Sequence, residues 1–190
     1  MRKVTVFNFA TLNGYYKGPN GDISWHQHNA HNPKDEESEY AMEGIQSDST
    51  LLFGRVTYEM MAGFWPTPDA LKSAPAMAEG MNKADKIVFS RTLKKAEWNN
   101  TRLVNTSMVE EIKKMKQQTG KDMTVLGSGS IITQLAEQAL IDAYLIMIDP
   151  VALGDGTPIF KGINHQLNLK LTDTRIFKSG AVLLSYQPVQ

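Results

Sequence analysis

Short apolar runs of strand length alternate along this chain with stretches in which apolar residues recur every three or four positions. Val4-Thr5-Val6-Phe7-Asn8-Phe9 alternates apolar and polar side chains, the period of a half-buried strand, and predicts a first strand over residues 3–10. Asn13-Gly14 and Gly18-Pro19-Asn20-Gly21 are turn signals, so a long loop is predicted next. After Pro33, the cluster Asp35-Glu36-Glu37 opens a helix with Tyr40, Ala41, Gly44 and Ile45 on one side and negative charge at the end the helix dipole favours. Thr50 to Phe53 reads as a second strand, broken by Gly54, and Arg55 to Ala62 as a helix that stops at Gly63. Trp65-Pro66-Thr67-Pro68 is predicted to be irregular, and the whole stretch from Pro66 to Pro75 to be a surface excursion.

The second half repeats the alternation. A short helix is predicted over Ala76 to Lys83, a buried strand over Lys86 to Phe89 running into Ser90-Arg91, and a further strand over Thr101 to Val104. Ser107 with Glu110 three residues on forms a capping box, Ile112 and Met115 mark the inner face of the helix it opens, and Gly120 supplies the stop. Met123 to Leu126 is a strand, and Ile131, Ile132, Leu135, Ala136, Ala139 and Leu140 recur at helical spacing behind it. Ala143 to Ile148 is another strand, Gly154-Asp155-Gly156 with Pro158 a loop, and two late strands fall near Leu167–Thr172 and Ala181–Tyr186. Strands alternating with helices imply an α/β domain, a three-layer αβα arrangement whose mainly parallel central sheet ends in antiparallel C-terminal strands. One domain is expected over residues 1–190, a length that suits a single core.

Composition narrows the function classes. Apolar residues make up 42% and charged residues 21%, values that permit a packed core. Lysine plus arginine balance aspartate plus glutamate at 20 each, so no bulk charge draws the protein to nucleic acid or to an acidic membrane, and an anionic ligand must be held locally. The absence of cysteine excludes disulfides, thiolate metal sites and cysteine nucleophiles. No long apolar segment is seen, which makes a cytoplasmic, soluble protein the expectation.

Chemistry enters at the junctions. In Val125-Leu126-Gly127-Ser128-Gly129-Ser130-Ile131 a strand passes through a glycine-rich turn into a helix, where unpaired backbone N–H groups favour an anion. The spacing differs from the GxGxxG of a Rossmann turn, and no Lys-Ser or Lys-Thr pair follows the glycines as in a Walker loop. A glycine turn of this kind also serves packing alone. A second junction, Phe53-Gly54-Arg55-Val56-Thr57-Tyr58-Glu59, adds a guanidinium and a hydroxyl at a helix start. The third, Phe89-Ser90-Arg91-Thr92, again brings hydroxyls and an arginine to the carboxyl end of a strand, the edge at which open α/β sheets bind ligands.

Taken in order, Ala10-Thr11-Leu12-Asn13-Gly14-Tyr15-Tyr16, Phe53 to Glu59, Lys86 to Arg91, Val125 to Ile131, and Ile148-Asp149-Pro150 through Leu153-Gly154-Asp155-Gly156 resemble the dihydrofolate reductase-like fold. The likeness covers nearly the whole chain and is to the branch that includes the reductase domain of bifunctional riboflavin-biosynthesis proteins. It implies NADPH as cofactor. By that resemblance Gly54, Arg55 and Thr57 hold phosphate, with Arg55 or Arg91 the candidate for the 2′-phosphate. Ser90 and Arg91 flank the adenosine end, Gly127, Ser128, Gly129, Ser130 and Ile131 cradle the pyrophosphate, and Ala10, Thr11 and Tyr16 line the nicotinamide. It also implies a small heterocyclic substrate and a homodimer.

The substrate side departs from the pattern. Dihydrofolate reductases proper carry a carboxylate a few residues after the first-loop tryptophan, whereas Trp25 here is followed by His26-Gln27-His28-Asn29-Ala30. Asp22, Asp35, Glu36 and Glu37 are the nearby acids, and Asp22 is taken as the tentative catalytic one. Asn13 joins it, standing where the riboflavin-type branch usually has aspartate, so a polar contact survives but a charge is lost. His26, His28 and His31 lack a matching carboxylate or cysteine set on a regular element, and no metal site is expected. Trp25, Phe64 and Trp65 either flank a flat heterocycle or pack beneath the loops. The expectation is an NADPH-dependent reductase of a pterin- or pyrimidine-like compound, with a dihydrofolate reductase proper, a non-catalytic NADPH-binding module and a structural domain as alternatives.

Overall fold

The computed structural model of the protein describes residues 1–26, 36–46 and 49–189. The first strand, β1 (Val4–Thr11), leads into a short β2 (Tyr15–Lys17) and a 3-10 turn (Pro19–Gly21). Next come α1 (Glu36–Gln46), β3 (Ser49–Gly54), α2 (Arg55–Phe64), α3 (Pro68–Ser73), α4 (Pro75–Lys83), β4 (Lys86–Phe89) and β5 (Thr101–Val104). The chain continues through α5 (Met108–Gln117), β6 (Asp122–Leu126), α6 (Gly129–Glu137), β7 (Ala143–Asp149), β8 (Thr157–Pro158), β9 (Leu169–Ile176) and β10 (Val182–Pro188).

Eight strands form one sheet in the order β5-β4-β3-β6-β1-β7-β10-β9. The six from β5 to β7 run parallel, and β10 and β9 add an antiparallel end. This is the predicted layered α/β arrangement. Strand alternation assigns each face its helices: Val4 and Val6 pack with Ile112 and Met115 of α5 and Ile131, Ile132 and Leu135 of α6. On the opposite face, Leu51 and Phe53 meet Tyr58 of α2 and Met81 of α4. Farther along that second face, Phe7, Phe9 and Met147 pack with Tyr40 of α1 and with Phe177. The fully buried apolar side chains among these, such as Val4, Val6, Phe53, Ile132 and Met147, each contribute on the order of 1.5–3 kcal/mol relative to exposure. Among the described residues no helix is long and apolar enough to cross a membrane.

The proline-rich stretch corrects the expectation of an irregular excursion, because it contains α3. Thr67 caps that helix by accepting from the Ala70 N–H at 3.3 Å. Pro68 and Pro75 each occupy the first helical position of their helices, where a missing N–H costs nothing and the fixed φ is already helical. The loop predicted after β1 holds β2, which pairs with β8 across the sheet's carboxyl edge. Helix α6 is also shorter than its apolar spacing suggests. It ends at Glu137, and Ala139 turns out with φ +51° before Leu140 N–H donates back to the Leu135 carbonyl at 3.0 Å.

Candidate active site

The carboxyl ends of β1, β3, β4, β6 and β7 all open on one edge of the sheet, and the glycine-rich junctions stand there together. Gly127 has φ +61°, a conformation that L side chains enter only at a cost, and Ser128 follows it in the left-handed region at φ +59°. This reversal lifts the chain off β6 and aims the start of α6 along the sheet edge. A Cβ at Gly129 would come within 2.9 Å of the Tyr16 hydroxyl and 3.0 Å of its ring, so the tyrosine closes over the turn because that position is bare.

Ser128 does not cap its own helix. Its hydroxyl instead accepts from the Gly54 N–H at 2.9 Å and donates to Thr57 Oγ1 at 2.8 Å. Two helix starts, those of α2 and α6, are thereby fastened side by side with no side-chain cap on either. Among the described residues, the backbone N–H groups of Ser128, Gly129 and Ser130 donate to no protein acceptor. Paired, uncapped positive helix ends are suited to an anion.

Arg55, at the first position of α2, is half exposed and forms an ion pair with Glu59 one turn on, at 2.8 Å. Ser90 accepts from the N–H groups of Thr92 at 3.2 Å and Leu93 at 2.9 Å, so its hydroxyl shapes the turn after β4, and Arg91 projects exposed beside it. An open cleft of about 460 Å³ runs past the start of α2 between Val56, Lys17, Asn20 and Asp155. A larger recess of about 560 Å³ lies at the opposite, amino edge among Arg2, Thr50, Asp85, Lys86 and Arg102. Among the described residues, the uncapped starts of α2 and α6 and the loop backbone converge at the carboxyl edge, the edge at which open α/β sheets bind ligands.

On the β1 side, Ala10 and Thr11 are buried. The Thr11 hydroxyl donates to Asn13 Oδ1 at 2.8 Å and accepts from the Tyr15 N–H at 3.0 Å. Asn13 in turn donates to the Leu153 carbonyl at 2.7 Å and accepts from the Leu153 N–H at 3.2 Å. Asn13 is thus a clasp between the loops after β1 and β7. Asp22 is exposed and holds the N–H and hydroxyl of Ser24 at 2.9 and 3.0 Å, contacts that keep its carboxyl below the usual range. Of the tryptophan candidates, Trp25 is buried and Trp65 packs at the far end of α2, its N–H donating to Met61 Sδ at 3.0 Å.

The structure also brings together a pair not foreseen from the sequence. Asp149, the last residue of β7 and fully buried, accepts a hydrogen bond from His26 Nδ1 at 2.8 Å. The imidazole lies on the Phe9 ring with centroids 3.7 Å apart. The aspartate sits opposite Thr11 in the ladder, at the mouth of the same edge. The Ile148-Asp149-Pro150 run was visible as a mark of the resemblance, but its role depends on a partner far away in the chain. His28, His31 and Asp35 lie outside the described residues; among those described, no three histidine or acidic side chains cluster to hold a metal.

The comparisons agree with this architecture. The model of the RibD C-terminal domain matches residues 2–183. The chain is similar to two uncharacterized proteins of Bacillus subtilis (strain 168). YyaP is 29% identical over 97% of this chain and 94% of its own length, and YwjB is 23% identical over 97% of each. Among solved structures it resembles a Shewanella sp. PV-4 protein attributed to riboflavin biosynthesis, with TM-score 0.75, 22% identity and 99% of both chains covered. It also resembles Enterococcus faecalis dihydrofolate reductase complexed with NADP(H) and RAB-propyl, with TM-score 0.65, 15% identity, and 99% of this chain and 97% of that one covered. A Thermotoga maritima deaminase/5-amino-6-(5-phosphoribosylamino)uracil reductase matches with TM-score 0.67 and 14% identity over 99% of this chain and 57% of that longer one. These three likenesses are likenesses of fold, whereas the family match spans nearly every residue from β1 to β10, and the chain belongs to the RibD C-terminal domain family.

Proposed function

We propose that the protein is an NADPH-dependent reductase that transfers hydride to a pterin- or pyrimidine-like heterocycle, in the manner of a 5-amino-6-(5-phosphoribosylamino)uracil reductase. The observation that carries this reading is the Ser128 bridge, which joins two uncapped helix starts at the carboxyl edge of the sheet. Gly54, Thr57 and the Gly127–Ile131 turn hold the cofactor's phosphates through backbone N–H groups and hydroxyls. Arg55 at the first position of α2 contacts the 2′-phosphate, and Ser90 and Arg91 flank the adenosine. Ala10, Thr11 and Tyr16 form the wall of the nicotinamide pocket, with Thr11 fixing the loop through Asn13 and Tyr15 rather than offering a free hydroxyl. When bound, NADPH supplies the hydride, and the protein's part is orientation, exclusion of water and electrostatics.

The homodimer belongs to the same proposal. Leu171 and Ile176, exposed apolar residues on the edge strand β9, offer a surface for it, and sedimentation velocity tests it. The cofactor is tested by thermal denaturation with NADPH, with NADH and with neither, since a ligand that binds the native state raises its apparent stability. A larger rise with NADPH than with NADH is expected, and equal melting in all three overturns the reading. NADPH absorbance is then followed over dihydrofolate, dihydrobiopterin and ribosylaminopyrimidines to identify the substrate class.

A further inference from the structure

The reductase reading leaves open where the proton comes from, because neither Asn13 nor Asp22 is placed to give one: the first is a loop clasp and the second an exposed turn cap. We infer that His26 delivers the proton to the heterocycle and that Asp149 is its positioning residue, an inference that rests on the function proposed above. Asp149 Oδ2 is an acceptor, so the 2.8 Å contact requires the proton on His26 Nδ1 and leaves Nε2 outside that contact. The ring is held on its other sides by Phe9 beneath it and by Trp25, whose ring stands edge-on at 5.8 Å. About a fifth of the histidine side chain remains exposed, whereas the aspartate is only 1% exposed. The geometry is that of an oriented acid–base imidazole: a buried carboxylate fixes the tautomer, and the ring keeps part of its surface open at the sheet's carboxyl edge.

A second observation points the same way. Asp149 Oδ1 is buried and accepts no hydrogen bond among the described residues. Leaving such an oxygen without a donor is costly, so the imidazole N–H on Oδ2 is the contact that holds the carboxylate, and the two side chains are tied to each other. In the step itself the C=N or C=O carbon receives hydride with its electron pair, and the double bond's electrons move to the nitrogen or oxygen. That atom takes the proton from His26 Nε2, and solvent returns one to the imidazole. The other charged groups nearby are engaged elsewhere. Glu37 of α1 bonds Ser179, Arg175 lies over the Tyr40 and Phe177 rings, and Asp22 holds Ser24, whereas Asp149 is in direct contact with the imidazole.

The test uses His26→Gln, Asp149→Asn and the wild-type protein. NADPH binding is measured first by thermal denaturation. All three are expected to bind it alike; failure of the wild type to bind overturns the proposed function, whereas loss only in the variants overturns the separation of roles drawn here. For turnover, His26→Gln is expected to lower kcat by about 10²-fold or more with little change in the KM for NADPH. Asp149→Asn is expected to lower kcat while leaving the KM for NADPH unchanged, as a residue acting through His26 should. Independently of activity, nitrogen-15 spectra of the imidazole are expected to show the Nδ1–H tautomer in the wild type and a mixture of tautomers in Asp149→Asn. An Nε2–H tautomer in the wild type, an unchanged tautomer in Asp149→Asn, or a His26→Gln protein with wild-type kcat overturns the assignment. So does a wild type that binds NADPH but reduces none of the heterocycles.

Discussion

Ser128 Oγ lies 2.9 Å from the Gly54 nitrogen and accepts its N–H, so that a residue of the α6 turn completes the backbone hydrogen bonding of the β3–α2 junction. The bond spans 74 positions of sequence, and its companion to Thr57 spans 71. Two loops that could drift independently are locked into one surface. A Cβ at Gly54 would come within 3.2 Å of the same hydroxyl, so the approach depends on that position being bare.

Removal of this hydroxyl should be felt in stability and in cofactor binding together. Ser128→Ala leaves the Gly54 N–H without its acceptor, and a loss of roughly 1–3 kcal/mol is expected from urea unfolding. The NADPH-induced rise in melting temperature should shrink as well. A variant with unchanged stability would mean that the two junctions are held by other contacts.

Arg55→Ala should separate binding from folding. The Arg55–Glu59 pair is half exposed on both sides, and such pairs contribute at most about 1 kcal/mol, so the melting temperature of the free protein should hardly move. Preference for NADPH over NADH is expected to fall by about tenfold or more, the scale of a lost charge-assisted contact. Isothermal titration with both nucleotides measures it, and an unaltered preference transfers the role to Arg91.

Asn13→Asp keeps the acceptor for Thr11 Oγ1 and the Leu153 N–H but replaces the amide that donates to the Leu153 carbonyl with a second acceptor. Two oxygens then face each other at a distance of 2.7 Å in the present geometry. A stability loss of about 1–2 kcal/mol is expected at neutral pH, relieved on acidification as the carboxyl regains a proton to donate. Thermal melts at pH 7 and pH 4, referenced to the wild type, decide it.

Lys86 gives a pH signature. It is only 1% exposed, donates to the carbonyls of Met81, Asn82 and Ala84 at 2.7, 3.3 and 2.6 Å, and lies 4.5 Å from the Trp98 ring. Burial pushes its ammonium down to about 8, well below the ordinary lysine value. Between about pH 8 and 10 the unfolded chain therefore binds more protons than the folded one, and this group's contribution to stability rises with pH across that window; below it both states are protonated and the slope vanishes. Lys86→Met should lack the rise, so the stability difference between wild type and variant should grow from pH 8 to pH 10 in urea unfolding. A constant difference would refute the assignment.

Much of this protein is determined by sequence alone, because strand and helix identity rest on local periodicity. The alternation of Val4 to Phe9 sets one residue toward each face, and Ser107 with Glu110 and Ile112 specifies a capped amphipathic helix without reference to anything distant. The turn after β6 was legible in part: Gly127 takes the positive φ that glycine permits, whereas the second left-handed residue is Ser128 rather than Gly129. Local signals misled where two readings share one cue: Pro68 and Pro75 break a helix interior but begin a helix equally well. What only the tertiary structure decided is which residues meet. His26 and Asp149 are 123 positions apart, and neither carries a mark that names the other. Their meeting follows from β7 lying beside β1 in the parallel order, which puts Asp149 opposite Thr11 and under the loop that carries His26. Periodicity acts over a few residues, whereas the strand order is set by crossovers and by burial of both sheet faces at once, and that order alone gathers the edge into a site.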